Sequence, residues 1–314
     1  MSKKTLLVII SYLTIYIVWG STYFFIKMAV KTIPPFYVIG FRWLVGGSLI
    51  LGFTLLTGRF KRLPTLGEAG NAVLLGVLLL LTGNGLISIA ERKVDSYLVA
   101  LVLALTPIVI ALFDWLLFKK RVSVMNLAGI VVGVGGVALL LYNGTSLTSS
   151  FTPDLFLVVC GLISWSFATS LGHKVNVYPD ILVNSAMQML IVGAGCMLGM
   201  AFNGPPLSEL MPQFSIQSWT GTWYLAIVGS LAFCAYTYLI ANEPAIRISS
   251  YALINPLIAT FLGLVIAKEN PVPYLFYAFP IILLGLFLMI YGEVAVKFLK
   301  NMRRAIGKAD NLNE

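Results

Sequence analysis

Apolar stretches of about 20 residues recur from one end of this 314-residue chain to the other, separated only by short polar gaps. A helix of about that length spans the hydrocarbon core of a bilayer, and gaps under about 20 residues leave no room for a soluble domain. Charged residues make up 11% of the chain and hydrophobic ones 59%, whereas a soluble domain carries roughly a quarter charged residues. Too few charges remain to cover a water-facing surface. A β-barrel would show short alternating segments instead. The expected fold class is an all-α polytopic membrane protein.

Hydropathy and the Gly, Pro and charge punctuation mark ten candidate spans. They run approximately over 6–28, 34–57, 68–91, 94–118, 124–142, 154–173, 181–202, 219–242, 248–267 and 273–296. The first follows Lys3 and Lys4, but it lacks a small-residue cleavage site and continues into "WGSTYFFIK", so a retained span is expected. An even number of spans puts both termini on one side. Fifteen Lys and Arg residues fall on that side, five of them at 297–308, and only four (Lys31, Arg92, Lys93 and Lys268) fall opposite. Both termini are therefore expected to be cytoplasmic. The net charge of +9 then reports topology and contact with anionic lipid, not nucleic-acid binding.

The chain also resembles itself. A shift of 149 residues superposes "TPIVIALFDWLLFKK", which begins at Thr106, on "NPLIATFLGLVIAKE", which begins at Asn255. Pro107 falls on Pro256, Lys120 on Glu269 and Gly136 on Gly285. Tryptophan recurs in the first helix of each half, Trp19 in "VWGSTY" and Trp165 in "SWSFAT". The expected organisation is two five-helix repeats, 1–148 and 149–296, with a basic tail at 297–314. Five is odd, so the repeats cross the membrane in opposite senses. Inverted repeats with Pro-interrupted helices at matching positions point to a secondary transporter whose site lies between the halves.

Several side chains could line such a site. Tyr12, Tyr16, Trp19 and Tyr23 share one helical face, although aromatic stripes also serve as packing. Asn84, Ser88 and Glu91 form a polar stripe in the third span, loosened by "TGNG". Facing a cavity, the stripe would bind a polar substrate; at the outer end of its helix, Glu91 is instead expected to be mostly hydrated. Arg42, some two turns inside the second span, needs a partner or water, and a structural ion pair or carbonyl contact is favoured. Lys27 reads as an outer anchor or a mouth residue. Asp114, one turn before Lys119 and Lys120, reads as a salt contact at the cytoplasmic end. In the second half, Ser166, Ser170 and His173 share a face, and Tyr236 and Tyr238 lie mid-span. Tyr251 and Asn255 precede Pro256, whose missing N–H frees a carbonyl. Cys160, Cys196 and Cys234 lie singly in apolar runs without metal-type spacing and read as packing residues. No metal or cofactor is expected.

With these residues in view, the chain resembles the EamA-type carriers of the drug/metabolite transporter superfamily, particularly their YedA-like inner-membrane members. The resemblance rests on "VWGSTYFFIK", "PPFYVIGFRWLVGG", "LLLLTGNG" with "AE" at 90–91, and the proline-centred fourth and ninth helices. It implies a central cavity lined mainly by helices 1, 3, 4, 6, 8 and 9 and export of metabolites, often amino acids. Such repeats often carry Gly-Glu after the fourth helix. Here the second half has Lys268-Glu269 and the first Lys119-Lys120. The small four-helix relatives exchange protons through a glutamate in their first helix, which this first helix lacks.

The expected substrate-binding residues are Trp19, Tyr23, Asn84, Ser88, Glu91, Trp165, Tyr236, Tyr251 and Asn255, with Pro107 and Pro256 as helix breaks. The expected function is export of a small metabolite across the bacterial cytoplasmic membrane, driven by the substrate gradient. The alternatives are a proton-coupled drug antiporter, through Glu91 or Asp114, and a passive channel, for which no selectivity ring is evident. No G-x-x-x-x-G-K-[ST] occurs, so the chain itself does not use ATP. One histidine and scattered acids argue against an enzyme. Membrane lipid and a small molecule are the expected partners; oligomeric state and substrate identity are not written in the sequence.

Overall fold

Helix ends in this chain fall where local capping chemistry puts them. The Thr65 hydroxyl accepts from Glu68 N while the Glu68 carboxylate accepts from Thr65 N, a reciprocal box that starts one helix. Asp180 and Ser215 cap two others through their side-chain oxygens. The computed structural model describes residues 3–119, 123–142, 152–172, 174–205, 207–248 and 250–310. Among them, eight helices are long and apolar enough to cross a membrane. These are α1 (Lys3–Ala29), α2 (Pro35–Leu56), α3 (Leu66–Ala90), α4 (Ser96–Phe118), α6 (Pro153–Gly172), α7 (Ile181–Asn203), α8 (Ile216–Asn242) and α10 (Leu275–Asp310). Two shorter apolar helices, α5 (Val124–Leu140) and α9 (Tyr251–Ile266), occupy the expected fifth and ninth places. The last helix does not stop near residue 296 but runs on to Asp310.

The packing partners come in matched sets. Helix α1 lies against α8 and α9, and α6 lies against α3 and α4; α2 pairs with α7, and α5 with α10. Each pairing therefore joins the first five helices to the last five, and exchanging the halves reproduces the set. The α5–α10 contact is backbone to backbone. A Cβ on Gly285 would come within 2.6 Å of Gly133 Cα and 2.8 Å of Gly129 O. Small residues let helices approach this closely in a bilayer, where packing drives association in place of the hydrophobic effect.

Two backbone irregularities repeat as well, and one does not. Helix α4 is interrupted by a turn at Ala104–Leu105, just before Pro107. The 149-residue shift carries that turn onto 253–254, which are helical in α9; this helix begins after a turn at Ser250 and runs through Pro256 without the expected break. Widened, π-type turns interrupt α3 at Val77–Gly83 and α8 at Leu225–Gly229. The 149-residue shift carries the start of the first turn onto the end of the second. In α3 the loosened carbonyls find hydroxyl partners, Leu78 O accepting from Thr82 Oγ1 (3.2 Å) and from Ser164 Oγ of α6 (2.8 Å).

The second repetition lies at two helix ends. Lys119 and Lys268, which the same shift superposes, follow the ends of α4 and α9 with φ of 54° and 55°. Helices commonly end on a residue in this left-handed region, and glycine holds it without the Cβ penalty. Lysine holds it here at that cost. Lys268→Gly is therefore expected to stabilise the protein by about 0.5–1 kcal/mol, read as a higher midpoint in thermal unfolding of the purified protein. An unchanged or lowered midpoint would show that the lysine side chain contributes more than the strain it carries.

Candidate substrate site

The two tryptophans matched in sequence meet in space. Trp19 of α1 and Trp165 of α6 pack edge to face, with ring centroids 5.3 Å apart and planes at 81°. Tyr236 of α8 lies 4.6 Å from Trp19 and 5.2 Å from Trp165. Tyr251 of α9 closes the group at 5.2 Å from Trp19. Polar tips tie the rings together: Trp165 Nε1 donates to the Tyr236 hydroxyl at 3.1 Å, and Thr169 Oγ1 shares a hydrogen bond with that hydroxyl. Edge-to-face geometry follows from the quadrupoles of aromatic rings. The result is an aromatic box with walls from α1, α6, α8 and α9.

Beside the box lies a cavity of about 50 Å³, lined on its polar side by Thr22, Tyr23, Arg42, Asn84 and Thr106. Trp43, Leu103 and Phe233 complete much of the rest. Space of this size holds a few waters, well below the roughly 300–1,000 Å³ of pockets that take small molecules. Its hydroxyls are largely committed to their own helices: Thr22 Oγ1 donates to Val18 O, and Thr106 Oγ1 to Leu103 O.

Arg42 is the most consequential occupant of the wall. Its residue is 2% exposed. Nη1 donates to Asn84 Oδ1 at 3.0 Å, and the guanidinium carbon sits 4.1 Å from the centre of the Trp43 ring. The sequence favoured an ion pair or a carbonyl contact; the partner found is a side-chain amide oxygen.

The polar stripe of α3 divides among three surroundings. Asn84 faces the cavity. Ser88 is fully buried and donates to Asn84 O on its own helix. Glu91 lies at an outer pocket of about 430 Å³ that it shares with Lys27, Lys31, Arg92 and Glu269. Its expected hydration is overturned: the residue is 0% exposed, and among the described residues neither carboxylate oxygen has a hydrogen-bond partner. The cause is coverage by neighbouring helix ends, which hydropathy along a single helix does not report. Asn255 sits behind the box. In the orientation that satisfies its surroundings, its amide nitrogen donates to the main-chain carbonyls of Tyr16 (3.0 Å) and Tyr251 (3.3 Å), bracing α9 against α1.

At the same end as the outer pocket, Glu269 caps the start of α4 from the other half, accepting from Ser96 N (3.1 Å) and Ser96 Oγ (2.8 Å). Lys27 joins this group, 2.6 Å from Asp95 and 3.7 Å from Glu269. It is thus a cross-linking residue as well as an anchor. Asp114, expected to meet lysines, accepts a hydrogen bond from Ser170 of α6; Lys120 and His173 lie outside the described residues. Ser166 Oγ is buried without a partner, and Tyr238 stands apart from the cavity lining. Thr22, Trp43, Leu103, Thr106 and Phe233 were missed. Trp43 beside the buried Arg42 was the one signal available; the others look like any residue of a span.

Helical bundling, exchanged packing between halves and a shared aromatic cavity define a polytopic membrane transporter, and the chain belongs to the EamA-like transporter family. The family's model matches twice, over residues 6–142 and 153–291. The chain is similar to the uncharacterized inner membrane transporter YedA of Escherichia coli strain K12, at 34% identity over 89% of both chains. It is also similar to the protein PecM of Dickeya dadantii, at 28% identity over 81% of this chain and 82% of PecM. A solved crystal structure shares the fold with a TM-score of 0.65 at 19% identity, covering 89% of this chain and 94% of that one.

Proposed function

We propose that this protein is a secondary carrier that exports a small metabolite, an amino acid or an aromatic compound favoured, across the bacterial cytoplasmic membrane by alternating access. The observation that carries the reading is the aromatic box, built on a tryptophan from the first helix of each half, beside a cavity too small for a whole substrate. Admission of substrate requires the rings to part, and they stand on helices from opposite halves. Rocking one inverted repeat against the other does this. At the outer end, Glu269 on the α4 start and the Lys27 ion pairs form a latch that opens as α9 moves. Residues Trp19, Tyr23, Asn84, Trp165, Tyr236 and Tyr251 contact substrate in this reading, while Ser88 and Asn255 shape the wall behind it.

Counterflow of labelled amino acids and aromatic metabolites in proteoliposomes tests the carrier. Exchange that saturates and is accelerated by substrate on the far side is expected; flux linear in concentration, without acceleration, would indicate a channel. Orientation has its own check. A reporter fused after Glu314 is expected to read as cytoplasmic and one inserted at Thr32, between α1 and α2, as external. The reverse pattern would invert the topology.

Glu91 favours a second reading, proton-coupled antiport. A carboxyl group buried without a hydrogen-bond partner among the described residues is the kind of group a proton carrier requires. If it couples transport to protons, Glu91→Gln removes substrate-dependent proton movement and cuts flux by at least about tenfold, while leaving exchange of substrate for substrate. Undiminished gradient-driven flux in this variant, with no proton movement in the parent, would leave the substrate gradient as the driving force.

A further inference from the structure

We infer that Arg42 and Trp43 form the anchor for a carboxylate on the transported compound, so that the substrate class is an aromatic monocarboxylate. This rests on the carrier reading above and adds the chemistry of the substrate to it. Arg42 is, among the described residues, the one charged side chain in the cavity wall. Among the described residues its hydrogen-bond partner is the Asn84 amide, and its Nε is buried without an acceptor. The adjacent Trp43, also 2% exposed, leaves its Nε1–H buried and unpaired. Two neighbouring buried donors without acceptors are costly. Glu91 acts on Arg42 through its field but forms no hydrogen bond with it.

Among the described residues, the buried donors left unpaired in the wall thus include one positive charge. The wall's acceptors do not neutralise it: Asn84 Oδ1 already serves Arg42, and the lone pairs that Thr22 and Thr106 keep while donating to main-chain carbonyls are uncharged. A guanidinium presents paired N–H groups in the geometry of a carboxylate, and such charge-assisted pairs are the strong ones. One cation matches one carboxylate; a dianion would leave excess charge in an apolar wall. Helix α8 makes room for this fork, since a Cβ on Gly229, at the end of its widened turn, would come within 3.3 Å of Arg42 Nη2. The aromatic box supplies the other half of the specificity. Its rings reach the cavity through Trp19, Trp165 and Tyr251, which line the same space as Arg42.

The test is binding to the purified full chain in nanodiscs, read by thermal shift, with matched probes: L-phenylalanine against L-phenylalaninamide, and phenylacetate against phenylacetamide. At least one acid is expected to bind about tenfold or more tightly than its amide. Arg42→Gln abolishes that preference, Arg42→Lys narrows it, and Trp43→Phe, which keeps the ring but loses the N–H, weakens the acid several-fold. Equal binding of acid and amide, binding of neither acid, or an unchanged preference in Arg42→Gln would overturn the inference. Should Arg42→Gln fail to fold, the acid–amide comparison in the parent and the Trp43→Phe variant decide. Counterflow separates the two levels of the argument. Exchange of amides or amines blocked by Trp19→Ala sinks the anchor and leaves the carrier standing; no saturable exchange across the metabolite panel sinks the carrier itself.

Discussion

Trp19→Ala is expected to abolish saturable exchange in proteoliposomes while the protein still inserts in the membrane. The indole of Trp19 touches Trp165, Tyr236 and Tyr251 at centroid distances between 4.6 and 5.3 Å. Contacts of this kind contribute about 0.5–1.5 kcal/mol each beyond the area they bury. Losing all three lowers stability by about 2–4 kcal/mol on that scale and removes the surface against which a substrate ring stacks. Thermal unfolding must therefore accompany the flux measurement. Trp19→Phe, which restores a smaller ring, should recover most of the stability and part of the flux. Ile17→Ala, two residues away on a face that is 61% exposed, should change neither. Normal exchange in Trp19→Ala would place the substrate away from the box.

An effect of similar size, on folding alone, is expected at the α5–α10 contact. Gly285→Leu forces a side chain into the main chain of Gly133 and Gly129, where no flexible neighbour can yield. Overpacking typically costs about 1–3 kcal/mol where side chains can shift, and more is expected between two backbones. The variant should lose its monodisperse form after extraction. The control is on the facing helix: Gly135→Leu has nothing within 4 Å of its added Cβ and should behave as the parent. A well-folded Gly285→Leu would mean that the two helices can separate freely.

Much of this could be read along the chain, and particular residues show why. The start of α2 at Pro35 and the starts of α6 and α7 fall within one or two residues of their expected places, because proline and capping residues act locally. Trp19 and Trp165 were singled out by their recurrence in the first helix of each half, their depth in the span and the small polar residues beside them, and their rings do meet. The same shift aligns Lys119 with Lys268, yet their shared left-handed backbone was not foreseen, since lysine carries no signal for it. A loosening of α3 was expected from "TGNG", which overlaps the end of its widened turn, but that of α8 was not, and one hydroxyl partner of Leu78 O lies 86 positions away, on Ser164.

The polar residues divide most sharply. Periodicity put Asn84, Ser88 and Glu91 on one face correctly, but a face has no identity until another helix covers it. Asn84 reached the cavity, Ser88 turned back to its own main chain, and Glu91 was sealed under the ends of other helices. Arg42 was marked as costly from its position, and only its surroundings revealed an amide partner and unspent donors. The sequence by itself determined the membrane class, the places of the helices and the doubled plan, because bilayer thickness and internal repetition act on the chain in one dimension. Which polar group faces a cavity and which is satisfied elsewhere was decided by tertiary structure alone. Helical periodicity specifies the face on which a side chain lies, whereas its partner is set by packing between residues as distant along the chain as Tyr16 and Ser250.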